Sequence, residues 1–302
     1  MLLAMNSAPQ SALLALGKLD GRLSGHPLAA AWASRRRLRA AVDGAAVDGC
    51  LVDPERLVRL VAGLPLTRWR DAGADAAAVR LYELAAEPSA AADHLHSYLQ
   101  EATISAAVQA VGVAVAEGLP RSSVVASFAM VLRQIGATEA LLVGVSPVGR
   151  AGDGWQALLA SAESGRRELD TLTFSWSRWT RALGRRRSTS RHLEVLAAAA
   201  ATTVAAPAQV ARLLGMTSRG AAMLLSELSE LGILREVSGR ETWQVYACAD
   251  VPVGEGMVVP ARPDVHVPDL SAVFAELERA SAAVARRLPG LHQQAPDTHA
   301  IA

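Results

Sequence analysis

The chain has 302 residues, of which 30 are basic and 29 acidic, so its net charge near neutral pH is only +1. This balance excludes a polycation that binds nucleic acid indiscriminately, and any such affinity must be local. Aromatic residues make up 4% of the chain and alanine and leucine are abundant, which favours helix over strand. Two cysteines, Cys50 and Cys248, are too few for a disulfide framework, which indicates a reducing compartment and predicts two buried thiols.

The chain also lacks the usual membrane and export signals. Its first ten residues have no basic start for a secretory signal, and the longest uncharged apolar run, residues 102–116, is too short to cross a bilayer. We therefore expect a cytoplasmic protein with no membrane partner.

The N-terminal residues predict two helices. Leucines recur at helical spacing from Ser11 to Arg39 on both sides of the break at residues 25–27. The second helix carries a basic cluster, which we interpret as a solvated face beside the core, with a phosphate contact as the alternative. The cluster consists of Arg35, Arg36, Arg37 and Arg39.

Turn and capping signals follow. The unit Ala-Val-Asp-Gly occurs twice in residues 41–49 and predicts a loop between helices, because Asp-Gly commonly marks a turn. Asp53 before Pro54 is typical of an N-cap with proline at the first helical position, and the helix is expected to run to Gly63. A further helix is expected to end near Ala86.

The central region predicts apolar helices. One long helix is expected from about Ala90 to Glu117 and another from about Ser122 to Gly136, followed by an apolar segment to residue 145. Residues 146–154 are rich in glycine and proline and predict a loop. Their glycines do not form a phosphate-cradling pattern, so nucleotide binding is not supported.

The residues able to carry chemistry form no clear site. Asp93, His94 and His96 are clustered, but histidines two positions apart on a helix point to nearly opposite sides, so a solvated helix start is favoured over a metal site. No Ser-His-Asp or Cys-His arrangement is visible in the local sequence. We predict no metal, no cofactor and no catalytic residue.

Three helices are predicted in the C-terminal part of the chain. The first extends from Arg191 to about Ala201, and the second begins near Pro207 and ends at Gly215. The third follows an N-cap at Thr217 and runs over residues 218–231. Its buried face is expected to consist of Ala221, Leu225, Leu228 and Leu231.

Two strand-like runs come after the third helix. They span residues 233–237 and 242–247 and are joined by a turn that contains Arg240. Three helices followed by a small β-hairpin predict a winged helix, in which the N-terminal end of the third helix enters the major groove.

The residues that would contact double-stranded DNA lie in three places. Residues 174–191, FSWSRWTRALGRRRSTSR, are rich in arginine and can follow the phosphate backbone, while Trp176 and Trp179 are expected to pack in a core. Arg219 can pair with guanine, although Ala222 and Met223 leave the exposed helix face with little hydrogen-bonding capacity. The predicted DNA contacts are Arg185, Arg186, Arg187, Arg191, Thr217, Ser218, Arg219, Ala222, Met223, Ser226 and Arg240.

The segment LLGMTSRGAAMLLSELSELGILREVSGRETWQVY resembles winged-helix modules of bacterial regulators and the DNA-binding module appended to Fic-type proteins. Its most recognisable part is LSELGILREVSGR. With LDGRLSGHPLAAAWASRRRLRAA and VDGCLVDPERLVRLVAGL, the chain is similar to an alphaproteobacterial, often plasmid-borne family with a helical region of unknown function and a C-terminal helix-turn-helix. The resemblance implies a transcriptional or plasmid-associated regulator.

The resemblance to Fic-type proteins implies no catalytic residue in this chain. Fic enzymes transfer a nucleotide monophosphate with a His-x-Phe-x-acidic-Gly-Asn-Gly-Arg loop, and none of the seven histidines begins that motif. We expect a protein that is not an enzyme and that acts as a homodimer, since one such module usually binds DNA weakly. Two alternatives stay open: a Fic-like nucleotidyltransferase relative with a degenerate or inactive site, and a winged helix that docks another protein.

The predicted fold is mostly α, with a multi-helix N-terminal and central region and a C-terminal winged helix-turn-helix that carries one small β-hairpin. A last helix is expected from about Asp269 to Leu288. The predicted division comprises a helical N-terminal region, residues 1–88, a central helical domain, 89–184, the winged helix-turn-helix domain, 185–250, and an extended linker, final helix and flexible tail, 251–302.

Overall fold

The protein is described from a computed structural model that covers residues 7–62, 72–84, 90–99, 101–119, 121–140, 142, 153–184, 191–238 and 244–251. These residues form eleven helices and one antiparallel pair of short strands. The prediction of a mostly helical chain with one small two-stranded sheet is therefore confirmed. The chain divides into two compact units, with the boundary between Phe174 and Ser175. The expected final helix and tail lie outside the described residues.

Eight helices begin in the first unit. Helix α7 packs against four others, α2, α4, α5 and α6, while α3 and α4 also pack on α2. The last helix, α8, supplies residues to both units. The bounds are α1 Ser7–Leu23, α2 Ala29–Val47, α3 Pro54–Val61, α4 Ala72–Leu84, α5 Ala90–Ser97, α6 Ile104–Ala116, α7 Arg121–Gln134 and α8 Asp153–Leu183.

Helix α2 corrects the loop predicted for residues 41–49. The helix continues to Val47, and only the second Asp-Gly forms a turn, where Gly49 has a φ of 77°. The alanines of this stretch bury one face, and a Cβ atom added to Gly44 would lie 3.1 Å from Leu81 Cδ1 of α4. Close helix packing at Gly44 thus outweighs its low helix propensity, about 1 kcal/mol relative to alanine.

The region between residues 90 and 117 also differs from its prediction. The expected single helix is two helices, α5 and α6, both of which pack on α7. Helix α6 starts at an N-cap, Thr103, whose side-chain oxygen accepts a hydrogen bond from the Ala106 N–H at 3.2 Å. The apolar pattern hid this break because both segments bury apolar residues, including alanine, at helical spacing.

The N-cap predicted at Asp53 is confirmed. Its carboxylate accepts a hydrogen bond from the Glu55 N–H at 2.9 Å, and Pro54 is the first residue of α3. Two other aspartates act across long sequence separations. Asp20 Oδ1 accepts from Thr138 Oγ1 at 2.7 Å, and Asp48 accepts from both the N–H and the hydroxyl of Ser122 at the start of α7.

The basic cluster of α2 contains a buried arginine, so the solvated-face interpretation is wrong for this residue. The Arg36 side chain is 1% exposed. Its Nη1 donates to both carboxylate oxygens of Glu168 at 3.1 Å, and its Nη2 donates to the Ser161 hydroxyl at 3.0 Å. The guanidinium also lies over the Trp32 ring, 5.4 Å from its centroid.

These contacts join α2 to α8 within the first unit. Burial lowers the pKa of Arg36 from its ordinary value, and the neighbouring Glu168 carboxylate opposes that shift. Trp32 Nε1 donates to the Gly165 carbonyl at 2.9 Å, and a Cβ atom on Gly165 would lie 3.1 Å from the Trp32 ring. Glycine is therefore needed where the indole crosses α8, and Arg36 itself is inaccessible to a phosphate.

The turn between α1 and α2 contains a histidine that favours its neutral form. The Leu28 N–H donates to His26 Nδ1 at 3.1 Å, which requires an unprotonated nitrogen. Burial, and next the nearby charge of Arg22, lower the pKa of His26 from its usual value.

The unfolded chain therefore takes up this proton before the folded protein does. The stability contributed by neutral His26 is complete above about pH 6.5, the ordinary histidine pKa, and is lost as the pH falls through the lower folded value. We expect His26→Asn, which keeps an acceptor oxygen, to lose less thermal stability than the wild type between about pH 7.5 and about pH 5.5. His96→Gln, at an exposed position, is the control. Parallel pH profiles for His26→Asn and the wild type would contradict this expectation.

The second unit contains the end of α8 and the C-terminal elements. Helices α9, α10 and α11 contact one another, while β1 packs on α11 and β2 on α9. The strands pair with Leu234 opposite Cys248 and Glu236 opposite Tyr246. The bounds are α9 His192–Ala201, α10 Pro207–Leu214, α11 Ser218–Glu230, β1 Leu234–Glu236 and β2 Tyr246–Cys248.

Two tryptophans in the last turns of α8 are buried in this unit, as predicted. Trp176 and Trp179 are buried and meet edge to face, with ring centroids 6.4 Å apart. The two cysteines, by contrast, differ from each other. Cys248 in β2 is fully buried, Cys50 is half-buried, and neither forms a disulfide. The expectation of two buried thiols thus holds for Cys248 alone.

Candidate nucleic-acid interface

The helical hairpin of α10 and α11 is built from local signals that the sequence displays. Pro207 is the first residue of α10, and the helix ends at Gly215, which adopts the left-handed conformation with a φ of 60°. Thr217 is extended, and its Oγ1 accepts a hydrogen bond from the Gly220 N–H at 3.1 Å. The predicted stop and cap are therefore confirmed, and a turn of three residues joins the helices.

An apolar core fixes which face of α11 points outward. Ala221, Leu225 and Leu228 are fully buried, as predicted. Leu231, which was expected to join them, is 39% exposed because α11 ends one residue earlier. The chain then turns at Gly232, and Ile233 takes a buried position, with its N–H donating to the Leu228 carbonyl at 3.0 Å.

The outward face consists of residues predicted to contact DNA. Thr217, Ser218 and Arg219 are exposed at the N-terminal end of α11. Met223 is 59% exposed one turn further along, while Ala222 and Ser226 are half-buried. The tip of this helix is accordingly accessible to a partner.

Arg191 has an internal role that the sequence did not indicate. Its Nη2 donates to the Leu214 carbonyl at 2.7 Å and to the Glu194 carboxylate at 2.8 Å. A cation at the last carbonyl of α10 is favourable because carbonyl dipoles converge there. The contact of Arg191 with a phosphate stays a prediction.

A histidine and a glutamate far apart in the sequence also meet here. His192 Nε2 lies 2.6 Å from Glu227 Oε2, which links the first turn of α9 to the last turns of α11. The pair is partly buried and was missed because 35 residues separate its members. The contact links α9 to the side of α11, next to its outward face.

The stretch from residue 175 to residue 250 is more basic than the chain as a whole. Residues 175–250 contain ten arginines, no lysine and six acidic residues, which gives a net charge of +4. Arg178 and Arg181 of α8 are exposed. Of the other predicted contacts, Arg185, Arg186, Arg187 and Arg240 lie outside the described residues.

The described ranges contain neither a membrane span nor a metal site. None of the helices there combines the length and the apolar character that a bilayer crossing requires. No three histidine, cysteine or acidic side chains in these ranges form a group that could hold a metal ion.

No protein-family model matches the chain, and a comparison with curated proteins gives no match. Function is therefore inferred from the site itself.

Substitutions of the N-cap residue Thr217 can separate an effect on stability from an effect on partner binding. We expect Thr217→Ala to lower the free energy of unfolding by about 1 kcal/mol, because the Gly220 N–H loses its partner. Thr217→Ser and Thr217→Asp should both retain most of that stability, since serine and aspartate are good N-caps. Urea unfolding of the three variants measures the difference. A Thr217→Ala variant as stable as Thr217→Ser would contradict a capping role.

Proposed function

We propose that residues 185–250 form a winged helix-turn-helix domain through which the protein binds double-stranded DNA, as a cytoplasmic transcriptional or plasmid-associated regulator. The observation that carries this proposal is the exposed N-terminal half of α11, which carries Arg219 and no acidic residue before Glu227. A protruding helix end of this charge suits the major groove. The two strands after α11 are consistent with a wing.

The charge of residues 175–250 supports the same function. A net charge of +4 gives a local attraction for phosphates that the nearly neutral whole chain lacks. Three of the ten arginines behind this charge are consecutive, at residues 185–187, shortly before α9 in the sequence. The resemblance of residues 213–246 to winged-helix modules of regulators points in the same direction. We further propose that the protein acts as a homodimer, because two linked modules read a longer site than one.

Binding across a salt series tests the electrostatic part of the proposal. The full-length protein is incubated with genomic DNA fragments, and the recovered sequence is used in a shift assay. Affinity should fall steeply with salt, and replacing Arg185, Arg186 and Arg187 by alanine should lower the slope of log affinity against log salt by about 2–3, or about 0.9 per lost phosphate contact. Replacing Arg80, Arg166 and Arg167, exposed arginines of the first unit, makes the same charge change and should leave the slope nearly unaltered.

Replacing Arg219 tests whether α11 contacts specific bases. Arg219→Ala should lower affinity for the recovered sequence by about tenfold or more, while affinity for unrelated DNA changes little. Thr217→Asp adds a second test, because the variant keeps its cap but places a negative charge next to a phosphate. Its affinity for DNA should fall although its stability does not.

Protein docking is the second candidate function. It is favoured by two exposed apolar residues, Met223 on α11 and Leu231 directly after the helix. A protein that retains no DNA at low salt, and whose arginine variants behave like the wild type, would support docking and overturn DNA binding.

A further inference from the structure

The outward face of α11 combines one cation with an apolar centre. At 3.6 residues per turn, Arg219, Ala222, Met223 and Ser226 fall within about 100° of arc. Met223 is 59% exposed, and Ala222 beside it is half-buried. The acidic residues of α11, Glu227 and Glu230, lie in its last turns. The N-terminal half of α11, in which Arg219 is the charged residue, therefore suits an anionic partner. Met223, with its exposed thioether, lies in the same half.

The apolar part of this face is too small for a stable protein contact. Met223 is flanked along the helix by Arg219, Ser226 and Glu227, and the next exposed apolar side chain, Leu231, lies about 12 Å further along the axis at 1.5 Å per residue. Apolar protein interfaces generally need a contiguous patch of a few hundred Å². The charge of the surrounding unit instead matches a nucleic acid.

The major groove offers one apolar group that a side chain of this kind can contact. Thymine presents its 5-methyl group there, and alanine and other apolar side chains contact it, whereas arginine forms a bidentate pair with guanine. Residues three or four apart on a helix are separated by about 5 Å along the axis, a distance comparable to one or two base-pair steps of 3.4 Å.

We infer that α11 reads thymine methyl groups through Met223 and Ala222, next to a guanine read by Arg219. This inference rests on the proposed DNA binding and names the ligand chemistry of that site. Because this face has few hydrogen-bonding side chains, it distinguishes DNA sequences largely through contacts with methyl groups.

Replacing thymine by deoxyuridine tests the inference directly. The substitution removes the 5-methyl group and leaves the hydrogen-bonding edges of the base pair unchanged. The duplex with the highest affinity for the full-length protein is selected from a random pool, and each thymine is then replaced in turn. Each contacted position should lose affinity by about fourfold, the effect of burying one methyl group, while other positions show no change.

Protein variants identify the side chain that makes the contact. Met223→Ala should reduce the preference for thymine over deoxyuridine at one of the contacted positions to less than twofold. Leu231→Ala removes an exposed apolar side chain from the C-terminal end of the same helix and should retain the full preference. Circular dichroism and thermal unfolding check that both variants are folded.

The outcomes separate this inference from the proposed function. If every deoxyuridine duplex binds as tightly as the original, and binding still falls steeply with salt, methyl reading is wrong and DNA binding stands. A preference for thymine that Met223→Ala leaves intact also overturns the assignment. If the full-length protein binds no duplex at low salt, both proposals fall.

Discussion

Replacing Arg36 by methionine is expected to lower the free energy of unfolding by about 2–3 kcal/mol, because Glu168 loses its buried partner but keeps its bond to Arg39 Nη1 at 2.7 Å. The guanidinium is almost fully buried between α2 and α8, where it bonds the Glu168 carboxylate and the Ser161 side chain. Methionine fills a similar volume but leaves the partly buried carboxylate and the serine hydroxyl without this donor. Denaturant unfolding followed by tryptophan fluorescence measures the loss.

Two further variants show whether the effect belongs to the buried ion pair. Arg36→Met combined with Glu168→Gln should recover part of the stability, because a neutral amide loses less than a carboxylate when the Arg36 donor is absent, and its oxygen can still accept from Arg39. Arg167→Met deletes an exposed arginine of α8, which lies 4.0 Å from Glu163, and should change stability by less than about 0.5 kcal/mol. A loss below about 1 kcal/mol for Arg36→Met would show that the buried contacts contribute little.

The second large effect concerns the tryptophans of α8. Trp176→Ala is expected to cost about 3–5 kcal/mol, because it removes a large buried ring that also packs against Trp179. Trp176→Phe should cost much less, since the Trp176 indole N–H meets no acceptor among the described residues and its loss breaks no hydrogen bond.

Trp32 provides the matched comparison. Its indole N–H donates to the Gly165 carbonyl, so Trp32→Phe removes a buried hydrogen bond together with the larger ring. We expect Trp32→Phe to lower stability by about 1 kcal/mol more than Trp176→Phe. Chemical denaturation of the two variants gives the difference. An equal loss for both would show that the bond to Gly165 does not distinguish the two sites.

Local signals predicted the parts of the fold that depend on a few neighbouring residues. The N-caps at Asp53 and Thr217 and the helix stop at Gly215 are all where the sequence indicates, because each is set by one side chain and the backbone beside it. The same holds for the outward face of α11, which follows from the spacing of its buried leucines. This face is the part of the candidate site that periodicity alone defines.

Long-range contacts account for most of what the sequence did not predict. The burial of Arg36 depends on Glu168, 132 residues away, and no local pattern indicates that pairing. The contact between His192 and Glu227 depends equally on the packing of α9 against α11. The loop expected at residues 41–49 was wrong for a related reason, because the packing of Gly44 against Leu81 decides in favour of the helix.

Because the two cysteines are buried to different extents, thiol labelling can report on local opening of the native protein. A thiol-reactive reagent should modify the half-buried Cys50 in the native state, whereas Cys248 should react only when β2 separates from β1. The delay between the modification of Cys50 and that of Cys248 then measures the rate at which the C-terminal unit opens. That rate can be followed by mass spectrometry with and without DNA, on the unaltered chain and without an introduced label.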